Sequence, residues 1–210
     1  FRIPDGEQLD AIGVMKRVGG DPKQFVPIAN VALAAWLEEA SQAPEWKLLE
    51  QLHEKIELDS IYRTDIPWVK TFPYDAQIFF ESRIPTYIKE KYLPINPEEI
   101  KKIIRPLWRN VKNITPYVAC LVADGDHMGA AFDACRTPTE MQDLSKKLSQ
   151  FAGQAKKIVE KDHKGLLIYA GGDDVLAFVN LQDALPCAAA LSRNFQFLFT
   201  DTQGKTPPTL

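Results

Sequence analysis

Residues 166–179 read LLIYAGGDDVLAFV, two short apolar runs rich in β-branched and aromatic residues around Gly171, Gly172, Asp173 and Asp174. The pattern predicts two buried strands joined by a tight hairpin, with glycine reaching positive φ in the turn. The two aspartates set the harder condition. Adjacent carboxylates beside a hydrophobic sheet stay ionised only with water, a cation or a hydrogen-bond donor close by. Taken alone, the stretch fits either a solvent-exposed hairpin tip or a divalent-metal site.

A second stretch bears on that choice. Residues 117–123 (YVACLVA) are another apolar run of strand length, leading directly into Asp124, Gly125 and Asp126. A buried strand thus delivers two acids at its C-terminal end, where Gly125 lets the backbone approach a ligand. Cys120 on this run reads as a buried packing residue. Thr137, Pro138 and Glu140 then match a capping box with Pro at the first helical position. Met141, Leu144, Leu148, Phe151, Ala155, Ile158 and Val159 follow at helical spacing, and the helix ends near Gly165. After the hairpin, a further helix is predicted over residues 183–199, with Pro186 tolerated in its first turn.

The order strand, long helix, hairpin, helix is that of a ferredoxin-like βαββαβ domain lacking its last strand. The overall class is α+β. In that topology the first strand neighbours the hairpin, so Asp124, Asp126, Asp173 and Asp174 can converge. A cluster of hard oxygen ligands suits Mg²⁺ or Mn²⁺. Palm-type polymerases and nucleotide cyclases hold two metals in this way.

The first half reads differently. A helix is expected over residues 5–18, capped by Asp5 and stopped by Gly19 and Gly20, with Lys16 and Arg17 near its end. Asn30 is expected to cap a second helix over 31–40. A third, over 45–57, places Trp46, Leu49, Leu52 and Ile56 on one face, with His53 at the surface. Residues 59–96 are punctuated by Pro67, Pro73, Pro85 and Pro94, with one short strand expected at 77–80. A helix follows from Pro97 to about Trp108, carrying Lys101, Lys102, Arg105 and Arg109 as a solvated basic face. We therefore expect a mainly helical region over 1–110 and an incomplete palm over 111–210.

Composition limits the alternatives. The chain is 45% hydrophobic with a formal net charge of -3, so it has a sizeable core and no global basic signature for nucleic acid. The three cysteines, Cys120, Cys135 and Cys187, lack C-x-x-C spacing, which argues for a reduced, cytoplasmic setting without a zinc motif. No Walker-type loop or Ser/His/Asp arrangement is present. Asp162 and His163 read as surface. The chain opens at Phe1 without Met, and we expect a piece of a longer protein.

The segments VADGDHMG (residues 122–129) and LLIYAGGDDVLAFV resemble the palm signature of the large subunit of type III CRISPR effector complexes, closest to the Cmr-type (III-B) branch. GEQLDAIGVMKR (6–17) and IFFESR (78–83) resemble further segments of that family. The resemblance implies a prokaryotic antiviral enzyme that converts ATP to cyclic oligoadenylate when guide RNA pairs with target RNA, alongside other subunits of the complex. It implies Asp124 and Asp173 as metal ligands. Asp174 would be a ligand or assist deprotonation of the 3′-hydroxyl. The Gly125 backbone would complete the metal shell, Asp126 would lie near the nucleotide, and Gly171 and Gly172 would leave it room. The His-Asp nuclease motif and cysteine zinc site found in many members do not occur in these residues. Two other readings remain: a non-catalytic nucleotide- and RNA-binding scaffold, and a G-G-D-E-F-type cyclase. The latter fits less well, because Asp174 stands where that class has Glu and Val175 where it has Phe.

Overall fold

A computed structural model describes residues 10–19, 25–200 and 209–210. Its elements are α1 (Ala11–Val18), α2 (Ile28–Ser41), α3 (Leu48–Lys55), α4 (Ile84–Lys91), α5 (Pro97–Asn110), β1 (Val118–Ala123), α6 (Met128–Asp133), α7 (Pro138–Lys157), β2 (Gly165–Gly171), β3 (Asp174–Asn180) and α8 (Ala184–Phe199). The chain is α+β, mainly helical before β1. From there it follows the strand, helix, hairpin, helix order, with short α6 inserted after β1. Among the described residues no helix is long and apolar enough to cross a membrane.

The sheet is antiparallel, in the order β1-β3-β2. Among the described residues only β3 lies between two strands, and this corrects one expectation. β1 and β2 flank it and are half open: Val122 is 76% exposed, Tyr169 53% and Ile168 49%. Cys120, expected in the core, is exposed as well. The register explains why. Side chains alternate between faces, so Val175, Ala177 and Val179 enter a core while Cys120, Val122 and Tyr169 sit on the other face.

The core below the sheet is made by α7 and α8. Phe151, fully buried on α7, meets Phe195 of α8 edge-on, with ring centroids 4.9 Å apart and planes at 82°. Val175, Ala177, Val179, Cys187 and Leu191 pack around them. The predicted capping box is present: Thr137 Oγ1 accepts from the Glu140 N–H, and Glu140 Oε2 accepts from the Thr137 N–H. α7 ends in one π-helical turn, Ile158–Asp162.

The helical region has its own core. Leu33 and Leu37 of α2, Leu52 of α3, and Ile100, Ile104 and Leu107 of α5 surround Phe72, Phe79 and Tyr87. Two expectations fail here. Asn30 does not cap α2, which starts at Ile28 after Pro27; it is buried inside the helix. There its Nδ2 donates to Tyr74 O at 2.8 Å and its Oδ1 accepts from the Ala76 N–H at 3.0 Å. Residues 77–80 are not a strand. A 3-10 turn spans Ala76–Phe79, with the Asp75 side chain capping it by accepting from the Gln77 N–H. The apolar run is explained by burial of Ile78 and Phe79, which a turn achieves as well as a strand. Smaller shifts follow the caps. Asp10 caps α1 by accepting from the Gly13 N–H at 2.6 Å, whereas Asp5 lies outside the described residues. Residues 44–47 form a 3-10 turn before α3.

A third core joins the two regions. Val31, Ala34, Ile61, Ile66, Trp68 and Val69 cover Leu166, Val118 and Phe178 at one end of the sheet. Trp68 Nε1 donates to Gly165 O at 3.2 Å, and Arg63 reaches buried Glu160 at 3.4 Å.

Two stability outcomes follow. Phe195→Ala should cost about 3–5 kcal/mol, as expected for an emptied aromatic core position. Asn30→Leu should cost about 1–3 kcal/mol, because the Ala76 N–H loses its partner in a buried setting. Urea denaturation measures both, and an unchanged midpoint for either variant contradicts the packing described.

Candidate functional site

β1 and β3 pair from Val118↔Asn180 to Ala123↔Val175. The next step of the same ladder places Asp124 across from Asp174, and the one after it places Gly125 across from Asp173. Like charges directly opposite one another in a sheet are destabilising. The electrostatics carry that signature. The Asp174 carboxyl is held above its ordinary value, chiefly by a hydrogen bond with the Asp124 carboxyl, then by desolvation and by the charges of Asp124 and Asp173. Such a pair shares a proton or takes up a cation.

Gly125 is the close-packed point of the site. A Cβ there would lie 2.7 Å from Asp173 Cβ, 2.9 Å from its Oδ2 and 3.0 Å from Met128 Cγ. Any side chain would push the Asp173 turn away from β1. The chain then turns at His127, whose φ of 65° is left-handed, and α6 anchors Met128 in the core below.

The hairpin turn is Gly172-Asp173, closed by the Gly171↔Asp174 pair. Gly172 has φ of 67° and open space above it. The positive angle at the first of two turn positions suits the twist of the flanking strands. Above Gly171 the space is filled: a Cβ would meet the Tyr169 hydroxyl at 2.1 Å.

The structure thus gathers Asp124, Gly125, Asp173 and Asp174, with Gly171 beside them. Asp126 is directed elsewhere. Its N–H donates to Thr209 O at 2.7 Å, and its Oδ2 accepts from Thr209 Oγ1 at 3.3 Å. The two residues form an isolated antiparallel bridge, and Asp126 is not among the groups acting on Asp174. Lys101 of α5 is engaged by Glu98 at 2.9 Å and Glu81 at 3.6 Å. Among the described residues, no three His, Cys, Asp or Glu side chains are drawn into one metal-sized cluster.

The donor set still fits a hard divalent cation. Mg²⁺ keeps several waters and is held by one or two carboxylates together with substrate phosphates, rather than by an all-protein cage. The facing carboxylates of Asp124 and Asp174, beside the close-packed Gly125, meet that requirement. Sequence reasoning missed Tyr169, treating its strand as buried throughout. The available signal was its two-residue spacing from Gly171, which puts both on one face.

Comparison with known proteins agrees with the topology. The family described as Cas10/Cmr2, second palm domain, matches residues 117–210. A curated relative, the CRISPR system Cmr subunit Cmr2 of Pyrococcus furiosus, is 30% identical over 153 residues, covering 58% of this chain. The match spans 17% of that protein's length. The acids beside β1 and in the β2–β3 turn fall within the matched stretch, so residues 117–210 are similar, in sequence and in element order, to a Cas10/Cmr2-type second palm domain.

Proposed function

We propose that the palm is a metal-dependent nucleotidyl-transfer site that makes cyclic oligoadenylate from ATP, in the large subunit of an RNA-guided type III antiviral complex. The observation that carries this reading is the Asp124–Asp174 confrontation, with Asp173 locked against Gly125. A fold does not keep carboxylates opposed across a sheet for stability; the arrangement serves a ligand that neutralises them.

Asp124, Asp173 and Asp174 would hold the cation, with the Gly125 carbonyl close by. A bound Mg²⁺ or Mn²⁺ supplies Lewis-acid activation of a ribose 3′-hydroxyl and charge neutralisation on the triphosphate. The chain's own work is positional. β1 and β3 fix Asp124 and Asp174 at the end of neighbouring strands, and the turn presents Asp173 one step further on at the same end of the ladder. Asp174, beside Asp124 at the open end of the sheet, is the carboxylate that would accept the hydroxyl proton if it is not taken up as a ligand. The absence of a side chain at Gly125 keeps the acids within reach of one another. Guide RNA, target RNA and the other subunits are the proposed partners.

The alternative is a non-catalytic scaffold that binds nucleotide and RNA through the same residues without turnover.

Activity distinguishes the two. The full subunit, assembled with guide and target RNA and given ATP with Mg²⁺ or Mn²⁺, should yield oligoadenylate. Asp173→Ala with Asp174→Ala should abolish the product and leave assembly intact. Product from that variant removes the site assignment, and ATP binding without product from the unchanged complex favours the scaffold. A second outcome separates ligand binding from folding. Asp174→Asn removes a like-charge contact, so it should raise the Tm of the metal-free chain slightly while weakening Mn²⁺ binding. A fall in both, read by thermal denaturation and calorimetry, points to a purely structural role.

A further inference from the structure

The face of the sheet that bears the acids carries a second row of residues. Across β1, β3 and β2 the first row is Asp124, Asp174 and Gly171; the pairs one step further along are Val122↔Leu176 and Leu176↔Tyr169. Residues directly opposite share a face, and alternate residues along a strand share it too. Val122, Leu176 and Tyr169 therefore form an apolar row about 7 Å from the acids along the strands. The next pair along, Cys120↔Phe178, marks where the helical region begins to cover the face, with Phe178 against the third core. The apolar row lies between the acids and that cover and stays open, with Val122 76% and Tyr169 53% exposed.

Tyr169 is placed with more definition than an exposed aromatic requires. Its phenol end lies over the α-carbon of Gly171, the cross-strand partner of Asp174. An exposed ring laid along the strand next to a charged site offers a flat apolar surface where the rest of the site is polar.

We propose that Tyr169 is a specificity-determining residue of the site, its ring stacking the base of a nucleoside triphosphate whose phosphates lie toward Asp124, Asp173 and Asp174. This rests on the metal-nucleotide reading above and adds to it the element that separates a nucleotide from a bare polyphosphate. The division of labour follows from chemistry. The acid row takes the cation and thereby the phosphates, while the apolar row has no charge to offer and suits the uncharged aromatic part. Base–aromatic stacking tolerates any base, so the ring sets affinity for nucleotides as a class. Gly171 is glycine, on this view, because a larger residue would lift the ring off its seat.

Equilibrium binding of ATP and of inorganic tripolyphosphate to the full chain in Mn²⁺ tests this. Tyr169→Ala should weaken ATP binding by roughly tenfold or more and leave tripolyphosphate binding unchanged. Tyr169→Phe should bind both as the unchanged chain does. Gly171→Ala should reproduce the selective loss with the tyrosine still present, and serves if Tyr169→Ala fails to fold. Undiminished ATP binding by Tyr169→Ala overturns the proposal, and so does an equal loss of both ligands. If the unchanged chain binds ATP no better than tripolyphosphate, the metal site stands and stacking is refuted. If it binds neither in Mn²⁺, the reading of the site fails and the inference falls with it.

Discussion

The antiparallel pairing of β1 with β3 is the constraint on which the rest depends. A single register sets three things together. It sends Val175, Ala177 and Val179 into the core formed by α7 and α8. It brings Asp124 opposite Asp174. It opens Val122 and Leu176 onto the same face as Tyr169. A slip of one residue would reverse the face of every side chain on one strand, burying the acids and exposing the core. The hydrophobic core thus holds the acids in opposition: the apolar burial of one face outweighs the repulsion on the other.

The helical region supports this sheet from the open side without closing the site. Val31, Ala34, Ile66 and Trp68 cover Leu166, Val118 and Phe178, and stop short of the acid row. The Trp68–Gly165 hydrogen bond and the Arg63–Glu160 contact fix the cover at the end of the sheet opposite the hairpin turn. One face of the sheet is therefore divided between a covered half and an open half that bears the acids. The open half pairs charge with exposed apolar surface, the feature on which the proposed nucleotide site rests.

Much of this was legible in the residues. The alternation around Gly171-Gly172-Asp173-Asp174 showed the hairpin, because a two-residue glycine turn between apolar runs admits few other solutions. The capping box at Thr137 and Glu140 marked the start of α7, since those bonds are local and depend on nothing beyond three residues. Where sequence reading erred, distant partners made the decision. Asn30 looked like a cap, yet it is buried because Tyr74 and Ala76, more than forty residues away, satisfy its amide. Residues 77–80 looked like a strand, yet Asp75 caps a turn there and no neighbouring strand is available among the described residues. Cys120 looked buried because an apolar run does not reveal whether its strand is central or at an edge.

By itself, the sequence determined the strand and helix order, the hairpin turn, the helix caps and the identity of the acids. Each of these is set by periodicity or by bonds within a few residues. Only the tertiary structure decided which acids meet. Strand pairing placed Asp124 against Asp174 and tied Asp126 to Thr209 instead. It also decided which apolar residues remain in water, Tyr169 among them. Exposure and opposition are properties of pairs of strands, and a run of residues carries no record of what lies beside it.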